Sequence, residues 1–106
     1  MFADAAQAAR VAIIAYAENA GHLGAAPLVE PVAVVDDYAL ADWTAGVKQG
    51  EALLVLRDGK WHVVAFENSS LADAHYLTIR YKVPEAEAAE LVKTLLAAEK
   101  SENIRP

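Results

Sequence analysis

The chain has 106 residues, 56% hydrophobic and 23% charged, with a net charge of −6. That is enough for one modest core and argues against a disordered chain; we read residues 1–106 as a single domain. The acidic balance, with no run of Lys or Arg, excludes nucleic acid and anionic membrane surfaces as expected partners. Cysteine is absent, which excludes disulfides, thiolate metal sites and cysteine catalysis.

From Asp4 to about Ala20 the apolar positions Ala6, Ala9, Ile13, Tyr16, Ala17 and Ala20 recur at spacings of three and four, which predicts an amphipathic helix. The stretch "NAGHLGAAP" ends it, and residues 21–31 read as a connector. Val32–Val35 is a short β-branched strand, and Asp36-Asp37 is a tight turn into Tyr38–Thr44. "TAGVKQGE" marks a loop before a strand at Ala52–Arg57. Asp58-Gly59 carries a type I′ hairpin signature, because both residues tolerate positive φ, and Trp61–Glu67 returns. Ser70 with Asp73 resembles a capping pair and predicts a short helix from Leu71. Pro84, Glu85 and Glu87 suit the start of a last helix whose buried stripe is Ala88, Leu91, Val92, Leu95 and Leu96, and about 100–106 is a polar tail. The expected fold is α+β: an N-terminal helix packed on a three- or four-stranded antiparallel meander, then a short helix and a C-terminal helix.

The two-residue turn sets a register in which Leu56 faces Trp61, Leu54 faces Val63 and Ala52 faces Ala65. If Thr44 pairs with Glu51, Trp43 faces Ala52 and joins Trp61 on one apolar side. That side is either a close seat for the alanine-rich first helix or a pocket floored by two indoles. The other side, with Leu53, Val55, His62, Val64 and Phe66, is more apolar than a solvated sheet face. Either the later helices cover it, or a protein partner or second subunit does, so these five are candidate partner-binding residues.

No catalytic or cofactor motif is present, and we expect a non-enzymatic protein. His22, His62 and His75 make no HxH, HxxxH or HExxH spacing. Asp36, Asp37 and Asp42 could hold a hard cation only if oxygen ligands arrived from elsewhere in the chain. No apolar run approaches the ~20 residues of a membrane span, so membrane insertion is not expected. "MFADAAQAAR" lacks the features of a signal peptide, so the chain is either cytoplasmic or an exported protein whose signal has been removed.

Asp37, Tyr38, Ala39, Ala41 and Trp43, then Gly50, Ala52, Leu53 and Leu54, then Asp58, Gly59 and Trp61, form an ordered pattern. It continues through Leu71, Asp73, Ala74 and Leu77 to Val83, Pro84 and Ala88. Over about residues 27–99 it resembles the bacterial copper uptake system-associated proteins, which are small and usually exported. The resemblance implies an accessory or binding role in the periplasm, connected with copper handling, with His62 or His75 as metal ligands. The family tends to carry a polar, cysteine-containing segment after the second Trp, where this chain has "HVVAFENSS". The helix-then-meander plan is also similar to cystatin-like and NTF2-like domains, whose members include inhibitors, binding modules and small enzymes.

Overall fold

The computed structural model describes residues 5–20 and 26–103. Asp4, His22 and the end of the polar tail lie outside them. The elements in chain order are α1 (Ala5–Ala20), β1 (Leu28–Val35), β2 (Tyr38–Ala45), β3 (Lys48–Arg57), β4 (Lys60–Glu67), α2 (Ala74–Tyr81) and α3 (Glu85–Asn103). The four strands form an antiparallel meander in the order β1-β2-β3-β4, so the fold is α+β.

Both faces of the sheet are covered by helix. On one, Ala9 and Ile13 of α1 pack with Ala39, Ala41, Trp43, Ala45, Ala52 and Leu54, all buried. The alanines of β2 and β3 leave room for α1 to lie close, so the two-tryptophan face is a helix seat and not an open pocket. On the other face, Leu40 and Leu53 are buried beneath Leu71, Leu77, Val83, Leu91 and Leu95. This apolar excess belongs to a second core closed by α2 and α3.

Three local readings change. β1 begins at Leu28, within the expected connector: a bulge between Val29 and Val32 carries Pro31, which follows a cis peptide bond and is tolerated because β1 is an edge strand. The β2–β3 turn is only Gly46-Val47, so Trp43 faces Gly50 and Ala41 faces Ala52. A slip of two residues keeps every side chain on its expected face. In β4, a bulge places Ala65 opposite Leu53 and Phe66 opposite Ala52, moving Phe66 across to the α1 face. There it stacks on Trp43 with ring centroids 4.6 Å apart.

The helix starts also have physical reasons. Asp73, in extended conformation, accepts a hydrogen bond from the Tyr76 amide at 3.0 Å and caps α2, which therefore starts at Ala74 rather than Leu71. Ser70 is occupied otherwise: its Oγ accepts from the Ala72 amide and donates to Glu51. α3 runs on through Asn103, into what composition reads as tail.

Candidate functional site

Beyond the second core, near the end of the sheet where β2 turns into β3, a cleft of about 410 Å³ opens. Its chemistry comes from three elements. Asp42 on β2 lies directly opposite Glu51 on β3, on the face covered by α3. Glu99 reaches the same place from α3, and carboxylate oxygens of the three lie within 4.8 Å of one another. Glu30, Ser70 and Asn68 add further oxygen and amide groups to the walls.

The strand pattern fixes two of these side chains. Asp42 shares a face with Leu40, so its neighbours in β2 turn it toward α3. Glu51 is 7% exposed, and the apolar run Ala52-Leu53-Leu54 holds its strand in place. Its Oε1 accepts from the Leu71 amide at 2.5 Å and from Ser70 Oγ at 3.4 Å, so it pins the loop entering α2 to the sheet. Glu99 continues the α3 stripe of Ala88, Leu91 and Leu95 by one more turn.

Three carboxylates this close cannot all carry full charge at low cost. Burial, then hydrogen bonds with Glu99 and Glu51, then their negative charge, push Asp42 from 3.8 up to about 9. Near neutral pH Asp42 therefore keeps its proton and shares it with its neighbours. A positively charged ligand placed between the three would take over the role of that proton. The donors are all hard oxygens, the set that suits Mg²⁺, Ca²⁺ or Mn²⁺ better than Cu(I).

The histidines lie elsewhere. His62 is exposed on β4 and His75 is exposed on α2. Among the described residues, the group of three potential ligands within reach of one another is Asp42–Glu51–Glu99, without a histidine. Asp36 and Asp37 stay in the exposed β1–β2 turn, with Asp36 at φ 52°, and Asp42 is the one aspartate of the three that reaches the cleft.

The five candidate partner residues separate. Leu53 is buried in the second core, Val55 is half-buried beside it, and Phe66 packs on the α1 side. Only His62 and Val64 remain well exposed, Val64 at 44%. The one buried polar side-chain atom left without a partner among the described residues is Trp43 Nε1, in the α1 core.

Glu51 and Glu99 were not legible as site residues in sequence. Two signals point to them in retrospect: a carboxylate at the head of an apolar strand, and another one turn beyond a buried helical stripe.

No protein-family model, curated protein or solved structure matches the chain. The positions that carry the resemblance to copper uptake system-associated proteins fall mainly in structural roles. Tyr38, Ala39, Ala41, Trp43, Leu53, Leu54, Leu71, Leu77, Val83 and Ala88 build the two cores, and Asp58-Gly59 forms the hairpin turn with φ of 55° and 76°.

Proposed function

We propose that the chain is a non-enzymatic accessory or binding protein, similar in role to the copper uptake system-associated proteins, and that its ligand contact is the carboxylate-lined cleft. The observation that carries this reading is the convergence of Asp42, Glu51 and Glu99 from three separate elements on one open cleft. The ligand that fits is cationic. If the family-like role holds, the protein acts in the periplasm, and a direct copper role draws on His62 or His75.

Calorimetric titration with Cu(I), Cu(II), Ca²⁺ and Mn²⁺ separates these versions. The cleft version expects saturable binding with proton release, lost in Asp42→Asn and Glu99→Gln and kept in His62→Ala and His75→Ala. Loss in the histidine variants instead assigns the ligand to the imidazoles. No saturable binding of any of the four ions ends the metal reading.

A second reading, an NTF2-like small enzyme, has Asp42 in its favour. A carboxylic acid still protonated at neutral pH in a concave site is poised to donate a proton. The filling of the two-tryptophan face by α1 counts against it, since that face would have housed an NTF2-like pocket.

A further inference from the structure

The two edges of the sheet are unlike each other. β1 is interrupted by its bulge and by Pro31, which has no N–H to offer, and Arg10 Nε already donates to the Val29 carbonyl at 2.7 Å. β4 is an eight-residue strand, Lys60-Trp61-His62-Val63-Val64-Ala65-Phe66-Glu67, with one bulge at Val63-Val64 but no proline, and among the described residues it pairs with β3 alone. Because Arg57 and Lys60 close the two-residue hairpin, the backbone groups of Lys60 and His62 turn toward β3 and those of Trp61 turn to the open edge. Beyond the bulge, Ala65 and Glu67 turn inward and Phe66 outward by the same alternation.

We propose that the β4 edge is an interface between two copies of this chain, joined antiparallel about a two-fold axis between Val63 and Val64. In that register Lys60 lies opposite Glu67 of the second copy, Trp61 opposite Phe66, and His62 opposite Ala65, each contact occurring twice.

The strand is self-complementary in three ways. Opposite charges meet at both of its ends, and both are exposed in the single chain. An aromatic meets an aromatic one step in, and such cross-strand pairs are among the more favourable in sheets. The third way depends on the bulge. Residues 60 and 67 are an odd number of positions apart, so in a regular strand they would point to opposite faces and the two copies could not match. The extra residue at Val63-Val64 restores the match: Trp61 and Phe66 both lie on the α1 face, and Lys60 and Glu67 both lie on the other. Trp61 and Phe66 are also the residues whose backbone groups face outward, so they can exchange ladder hydrogen bonds with the second copy. The result is an isologous interface that joins two four-stranded meanders into one sheet.

This interface is independent of the cleft. Sedimentation equilibrium of the full chain over a concentration series, at low salt, should show a reversible monomer–dimer equilibrium. Lys60→Glu or Glu67→Lys alone places like charges opposite each other at both ends and should weaken association about tenfold. The double exchange Lys60→Glu/Glu67→Lys should restore it. A monomer at every concentration, single reversals without effect, or a double exchange that fails to recover would each overturn the proposal. Register is read separately, since the natural chain has no cysteine. An oxidised mixture of the Lys60→Cys and Glu67→Cys proteins should give a covalent dimer that neither gives alone. Equal cross-linking by Lys60→Cys alone would overturn the register.

Discussion

A Cβ on Gly50 would lie 1.8 Å from the Glu67 carbonyl oxygen and 2.7 Å from the Asn68 Cα, and both obstacles are backbone. Gly50→Ala must therefore displace the end of β4, and we expect a loss of more than about 3 kcal/mol in a urea unfolding curve. A loss below about 1 kcal/mol would mean that this end of the strand yields easily. Asp42 sets a different expectation. Its proton is held up to about pH 9 in the folded protein and released near 3.8 when unfolded. Between those values the folded state binds more protons, so stability is full below about pH 3.8 and falls as pH rises, until Asp42 is ionised in both states above about 9. Asp42→Asn should flatten this dependence and raise stability at pH 7 by about 1 kcal/mol, allowing for screening by the water that reaches the site. Thermal unfolding across pH 4–10 checks both the slope and its loss.

Among the elements, α2 and α3 show how far periodicity reads and where it stops. Periodicity reads both helices, but the sequence starts α2 three residues early, because Ser70 and Asp73 compete for the capping role. The structure gives the cap to Asp73 and turns Ser70 toward Glu51. Asp73→Ala should cost about 1 kcal/mol through loss of the Tyr76 amide bond. In α3 the expected stripe included both Leu95 and Leu96, although a helix turns 100° between them. Leu95 is fully buried and Leu96 is 48% exposed. Leu95→Ala should cost about 2–5 kcal/mol, and Leu96→Ala well under half of that, read from their denaturant midpoints. The bulge in β4 was invisible for a related reason. Val63 and Val64 are equally good strand residues, and only the packing of Phe66 on Trp43 and Tyr16 shows which side each must take.

For the whole molecule, one sheet separates two cores. The α1 side is alanine-rich, and the α2–α3 side is built from leucine. This is why the second face looked too apolar for solvent: its cover lies later in the same chain. With that face closed by helices, the cleft at the end of the sheet and the edge of β4 stay open among the described residues. No described helix is long and apolar enough to cross a membrane.

The sequence by itself determined the α+β order, the meander, the Asp58-Gly59 hairpin and the face on which each tryptophan lies. These depend on turn chemistry and on periods of two and 3.6, which are local. Only the tertiary structure decided that the aspartate before Trp43 belongs to a carboxylate triad. Asp42 and Glu51 are partners across one hairpin, but Glu99 lies far along the chain on α3, and neither glutamate stands out from an ordinary surface acid in the sequence. Their meeting depends on a β2–β3 register set by the Gly46-Val47 turn and on where α3 crosses the sheet. The register follows once the turn is known to be two residues long, but local spacing does not carry where α3 crosses, because that follows from how the second core closes on the sheet.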